Sequence, residues 1–157
     1  MRIGFGFDVH QLVEGRAFIL GGVEIESKKG ILGHSDADVL LHAVSDAVLG
    51  ALALGDIGEH FPNTDQSIEG IDSGLILKKC IELIAAKSYK VVNIDCSVVC
   101  EKPKIMPHAL QMRSNIAALA GISIDDVSVK ATTNEKMGFI GREEGIVAYA
   151  VVLLDKI

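Results

Sequence analysis

The chain reads as an α/β or α+β sandwich, with helices packed on one face of a sheet. Three observations carry this. Strand-like and helix-like apolar patterns alternate along its 157 residues. Hydrophobic residues make up 49%, enough for a proper core in one domain. Aromatics reach only 4%, with no Trp, so that core must be built from Ile, Val, Leu and Ala.

Residues 2–10 are expected as a first strand and 17–25 as a second, divided by a turn at Glu14-Gly15. Gly21-Gly22 interrupts the second strand, the mark of a bulge. Lys28-Lys29-Gly30 lead to Gly33-His34-Ser35-Asp36, where Ser35 or Asp36 is placed as the N-cap of a long helix running to about Leu54 and ended by Gly55. Residues 56–71 carry Gly, Pro, Asn and Asp without a period. A structureless stretch of that length reads as a site loop or lid. Residues 72–87 form a second helix with a partial apolar face at Leu75, Leu77, Ile81 and Ile84. Val91 to Cys100 is a strand. Pro107 fits the first turn of a third helix that ends at Gly121. Val127 to Ala131 is a short strand, 132–144 a loop and 145–154 the final strand. No repeat, low-complexity run or linker is present.

A net charge of −6 argues against broad binding to nucleic-acid phosphates and leaves room for a local anion pocket. Cys80, Cys96 and Cys100 form no CxxC pair and are expected as buried thiols in a reducing cytosol. Arg2 leads directly into a Gly/Phe strand containing Asp8, unlike a signal or transit peptide. No apolar run reaches the length of a membrane span, and Ile146 to Leu154 is strand-sized.

Asp8 and His10 are two residues apart and so share one face of a strand. His42 sits in a helix that is otherwise Val, Leu and Ala. One carboxylate and two imidazoles leave one position open on a tetrahedral metal, the arrangement of a catalytic zinc rather than a structural one. Asp38, His42 and Asp46 follow at i, i+4 and i+8 and are expected on one stripe, with Asp46 a candidate to hold the second ring nitrogen of His42 or a substrate hydroxyl. Gly4-x-Gly6 lacks the third glycine of a dinucleotide fingerprint and is expected to permit close backbone packing. Lys130-Ala-Thr-Thr-Asn-Glu-Lys136 ends a strand with two hydroxyls, a carboxylate and ammonium groups, chemistry suited to phosphate oxygens and a hard cation bridging them. Cys100-Glu-Lys-Pro-Lys-Ile-Met-Pro107 is a proline-stiffened turn with two lysines. Arg142-Glu143-Glu144 reads as a salt-bridged loop or an anion contact.

Together with Gly55-Asp-Ile-Gly58, Phe61-Pro-Asn-Thr-Asp65, Gly138-Phe139 and Gly141-Arg142, these motifs stand in an order that resembles the 2-C-methyl-D-erythritol 2,4-cyclodiphosphate synthase family of non-mevalonate isoprenoid synthesis. The resemblance covers residues 2–142. It implies a single α+β domain over residues 1–157, a mixed sheet with three helices on one face, assembled as a homotrimer with active sites between subunits in a bacterial cytoplasm. It implies zinc on Asp8, His10 and His42, and magnesium or manganese on Glu135. His34 would assist at the phosphate, with Ser35 beside it, and Thr133 would lie near the transferring phosphorus. Asp56, Ile57, Gly58, Phe61, Pro62, Asn63, Thr64 and Asp65 would hold the methylerythritol end. Cys100, Glu101, Lys102, Pro103, Lys104, Ile105 and Met106 would wrap the cytidine of a cytidine diphosphate substrate. Thr132 and Thr133 would bind the diphosphate, Asn134 would contact the substrate, and Phe139 and Arg142 would complete the site. An isoprenoid diphosphate in a central cavity near Phe7, Phe139 and Arg142 is a further implied ligand. Two residues depart from the family pattern: Phe5, where many members carry His, and Glu101, which puts negative charge in the nucleotide loop. Read from the residues alone, the same ligands would also serve a metal-dependent phosphohydrolase, or a trimeric module that only binds isoprenoid diphosphates.

Overall fold

A computed structural model of the chain describes residues 1–62, 64 and 69–157. Five strands form one mixed sheet: β1 (Arg2–Val13), β4 (Gly30–Ile31), β5 (Tyr89–Val99), β6 (Val127–Thr132) and β7 (Gly145–Lys156). Their order is β4-β1-β7-β5-β6, and every pair is antiparallel except β5 with β6. The long helices α1 (Val39–Ala51), α3 (Ser73–Ala85) and α4 (Ala109–Ala120) pack on this sheet and on one another. The short helices α2 (Ile57–His60) and α5 (Gly138–Gly141) lie in the connections. The fold is therefore α+β, helices on a mixed sheet.

Alternation along β1 sorts its side chains. Gly4, Gly6 and Leu12 are buried, whereas Ile3, Phe5, Phe7 and Val9 are exposed on the helix-free face. The two glycines let α1 lie almost on the backbone of β1. A Cβ at Gly4 would overlap the carbonyl of Ala47, and one at Gly6 the carbonyl of Ala43. Close packing is thus their role, as their spacing suggested.

The expected second strand is a small hairpin instead: β2 (Ile19–Leu20) pairs with β3 (Val23–Glu24). Gly21 and Gly22, with φ of 58° and 71°, form its two-residue turn and not a bulge, because both positions need the left-handed region. The bulge in this fold lies in β5, where the register shifts between Val91 and Asn93.

Helix α1 is shorter than expected, and its N-cap is Asp38 rather than Ser35 or Asp36. Asp38 is fully buried, and its carboxylate accepts hydrogen bonds from Leu41 N at 3.1 Å, Gly21 N at 2.9 Å and Gly22 N at 2.7 Å. Burial pushes this carboxyl up to about 6 against the three backbone donors. Asp38 therefore leaves the expected polar stripe: it ties the β2–β3 turn to α1. The third helix begins with a 3-10 turn, Met106–His108, before α4 proper. Gly121 ends α4 in the left-handed conformation, φ 69°. The stretches read as loops at 56–71 and 132–144 contain α2 and α5 respectively. Four residues carry too little apolar period for a helix to show in sequence.

Strands β1, β5 and β6 all run antiparallel to β7 or parallel to its neighbour, so they point the same way. His10, Cys100 and Thr132 consequently gather at one end of the sheet. Among the described residues, no helix is long and apolar enough to cross a membrane.

Candidate metal centre

The row of residues on β1 that faces α1 runs Gly4, Gly6, Asp8, His10. The two glycines hold the helix close. One step further, Asp8 and His10 reach His42 on α1. Asp8 Oδ2 lies 3.0 Å from His10 Nε2 and 3.0 Å from His42 Nδ1, and the two nitrogens are 3.2 Å apart. Side-chain exposures of 25%, 18% and 13% leave the cluster partly open to solvent. Three donor atoms from two elements thus converge within 4.8 Å of one another.

The outer ring nitrogens are held from behind. His10 Nδ1 lies 2.7 Å from the carbonyl of Leu32. A carbonyl only accepts, so Nδ1 donates to it, and Nε2 is the ring nitrogen that faces the centre. His42 Nε2 lies 2.9 Å from Ser73 Oγ and 3.1 Å from Ser35 Oγ. Burial opposes ionisation of Asp8, but hydrogen bonds from His10 and His42 outweigh it and bring its carboxyl down to about 2. Burial likewise opposes a charge on His10, yet the Asp8 carboxylate raises its pKa on balance. An anionic oxygen and two imidazoles, backed by second partners, fit a divalent ion such as zinc.

A cleft of about 250 Å³ opens beside the triad. His34, Ser35, Asp46, Ile57, Gly58 and Phe61 line it, with Ile71 and Ile76 as an apolar wall. His34 Nε2 is buried and finds no hydrogen-bond partner among the described residues. Asp46 does not hold His42, the first of its two expected roles, but it does line the cleft. Its Oδ1 accepts the N–H of Ile57 at 2.9 Å and so anchors α2 to α1. Burial and the neighbouring Asp56 raise its pKa, although that backbone bond opposes them. Asp56 caps α2 by accepting from Glu59 N at 3.0 Å. Pro62 and Thr64 are exposed, and Asn63 and Asp65 lie outside the described residues.

The loops after β5 and β6 form a second group. Cys100 N donates to the carbonyl of Thr132 at 3.0 Å, which joins them. Burial pushes the Cys100 thiol up to about 12, and it donates to the carbonyl of Lys102. Glu101, expected near a phosphate, turns inward instead. Its Oε1 accepts from Asn134 N at 2.9 Å and Lys136 N at 3.1 Å, holding a turn whose Glu135 and Lys136 have left-handed φ of 52° and 61°. Lys102 pairs with Glu143 at 2.9 Å, Pro103 is half-buried, Lys104 and Met106 are exposed, and Ile105 is buried. Thr132, Thr133 and Glu135 are exposed, with Thr133 Oγ1 3.4 Å from Glu135 Oε1. Arg142 makes two 3.0 Å bonds to Glu144, the salt-bridged form of its loop, and Phe139 is exposed nearby. None of this group lines the cleft beside the triad. Phe139 meets His10 in a separate depression, and the rest of this group stands apart from the triad cleft at the same end of the sheet.

Sequence reading missed Asp36 and Ser73, which stand behind His42. The only local signal was the Asp72-Ser73 pair at a helix start.

The YgbB family matches residues 1–155 of the chain. The chain is 61% identical over 157 residues to the 2-C-methyl-D-erythritol 2,4-cyclodiphosphate synthase of Chloroherpeton thalassium, with all of both chains covered. Against the enzyme of the same name from a Geobacillus strain it is 60% identical over 155 residues, 99% of this chain and 98% of that one. It matches a solved 2C-methyl-D-erythritol-2,4-cyclodiphosphate synthase in its CDP-bound form at a TM-score of 0.91 and 36% identity, over 98% of this chain and 100% of that one.

Proposed function

The chain belongs to the YgbB family, and from that premise we propose that it is a metal-dependent cyclodiphosphate synthase of isoprenoid precursor biosynthesis. Its reaction closes 4-diphosphocytidyl-2-C-methyl-D-erythritol 2-phosphate to 2-C-methyl-D-erythritol 2,4-cyclodiphosphate. The 2-phosphate attacks the β-phosphorus, the P–O bond to the α-phosphate breaks and CMP leaves with that electron pair. The observation that carries this reading is the Asp8, His10 and His42 cluster, whose donor atoms converge beside an open cleft.

Two anions must meet in this reaction, so neutralisation and positioning matter more than a base. A phosphate monoester is already mostly ionised near neutral pH, and no general base is assigned. Asp8, His10 and His42 would hold zinc and Glu135 magnesium or manganese, ions that orient phosphate oxygens and offset their charge. His34, whose buried Nε2 at the cleft finds no partner among the described residues, assists at the phosphate, and Ser35 contacts it. Ile57, Gly58 and Phe61 in the cleft, with Asp56 and residues 62–65, take the methylerythritol end. Residues 100–106 wrap the cytidine, and the Glu101 carboxylate, turned toward Asn134 N and Lys136 N, is held away from it. The hydroxyls of Thr132 and Thr133 and the Asn134 amide receive the diphosphate, Thr133 nearest the transferred phosphorus. Phe139 and Arg142 complete the site.

We place the assembly as a homotrimer in which the nucleotide loop of one chain completes the cleft of its neighbour. The separation of the loop group from the triad cleft supports this, as does the helix-free face with Ile3, Phe5, Phe7, Val9, Tyr149 and Val151 exposed together. In that trimer an isoprenoid diphosphate would occupy a central cavity near Phe7, Phe139 and Arg142. The whole chain acts as one domain, and its three free thiols suit a bacterial cytoplasm.

Phosphorus NMR on the purified protein with substrate and both metals tests the reading. The expected products are CMP and a cyclic diphosphate. A linear phosphate product would instead make the chain a phosphohydrolase.

A further inference from the structure

Glu101 stands two residues beyond the end of β5 and is half-buried, between a buried Cys100 and an exposed Lys102. One oxygen of its carboxylate, Oε1, accepts from the N–H groups of Asn134 and Lys136, at 2.9 and 3.1 Å. A carboxylate oxygen has lone pairs for both donors. Glu135, between them, and Lys136 itself hold left-handed φ of 52° and 61°. Two successive residues with side chains stay in that region only where the surrounding structure holds them there. Glu101 reaches them from more than thirty residues away.

The turn held in this way carries the exposed polar groups after β6. Thr133 Oγ1 lies 3.4 Å from both Oε1 and N of Glu135, so hydroxyl, carboxylate and backbone form one unit. The 100–106 loop has further holds of its own. Cys100 N donates to the Thr132 carbonyl, the Cys100 thiol donates to the Lys102 carbonyl, and Lys102 pairs with Glu143. Among the described residues, the hydrogen bonds that join this loop to residues 134–136 are the two made by Glu101.

We propose, on the reading that residues 100–106 take the cytidine and 132–134 the diphosphate, that Glu101 is a positioning residue which sets the spacing between the two. It touches neither part of the ligand. It holds the diphosphate turn ready against the base loop, and a turn already ordered loses less entropy when the ligand arrives. A ligand that reaches only the base loop is indifferent to this bond. A ligand that spans loop and turn depends on it.

Binding of CDP and of cytidine, both with magnesium present, tests this by ligand-observed NMR on the full chain, Glu101→Ala and Glu101→Gln. CDP affinity is expected to fall about tenfold in Glu101→Ala, with cytidine affinity little changed. Glu101→Gln keeps an accepting oxygen and should recover most of the loss. An undiminished CDP affinity in Glu101→Ala would overturn the proposal. Equal weakening of both ligands would overturn it too, as the mark of a merely structural role. Hydrogen exchange in the ligand-free proteins is the second readout. The Asn134 and Lys136 amides should be protected in the parent and exchange roughly tenfold faster in Glu101→Ala, and unchanged exchange sinks the anchor. A parent chain that binds CDP no more tightly than cytidine would remove the diphosphate reading itself, and exchange would still judge whether Glu101 holds the turn.

Discussion

The triad cluster and the loop group are built on opposite plans. The triad half sits at the edge of the core, between a glycine-floored strand and a helix buried on nearly every side, and both imidazoles are braced from behind. The half at residues 100–106 and 132–142 stands on loops, with exposed hydroxyls, lysines and ion pairs. A metal tolerates little error in ligand position, so its ligands belong on packed elements. A flexible diphosphate and its base can be gathered by loops, and loops at a sheet end are free to meet a neighbouring chain.

Changes that break each half should therefore differ in kind. The largest effect is expected for His42→Ala. Metal analysis should fall from one zinc per chain to none, and CMP release should drop by on the order of a thousandfold. Unchanged release would remove the triad from the reaction. Next comes Gly6→Ala, remote from any ligand contact. Its new methyl would overlap the Ala43 carbonyl and push α1 away from β1, at a cost of about 3 kcal/mol in a denaturant melt. A loss well below 1 kcal/mol would show that the triad half is not rigidly seated. The smallest effect is expected for Glu101→Ala in the loop half. Two backbone N–H groups lose their acceptor, worth about 1–2 kcal/mol. KM for the cytidine substrate should rise while zinc content holds. A loss of zinc would mean that the two halves are coupled within one chain.

Much of the fold was legible because its signals are local. Apolar runs marked the long strands and helices, Gly121 marked a helix end and Gly4-x-Gly6 marked a close approach. Asp8, His10 and His42 stood out because a carboxylate and imidazoles are rare in such apolar company. What was misread depends on distant partners. Asp38 looked like a member of a polar stripe, but it is buried because the N–H groups of Gly21 and Gly22 come to it from another part of the chain. Asp46 looked like a partner for His42 and instead takes Ile57 N. Glu101 looked like a misplaced charge and instead closes a turn more than thirty residues on.

The sequence by itself determined the layered fold, through residue type and periodicity, and the family, through the resemblance of its ordered motifs, and it singled out Asp8, His10 and His42 as a candidate cluster. Only the tertiary structure decided which polar group answers which. A hydrogen bond is satisfied by whatever comes within about 3 Å, and at Asp36, Ser73 and His42 that proximity is created by packing α3 against α1.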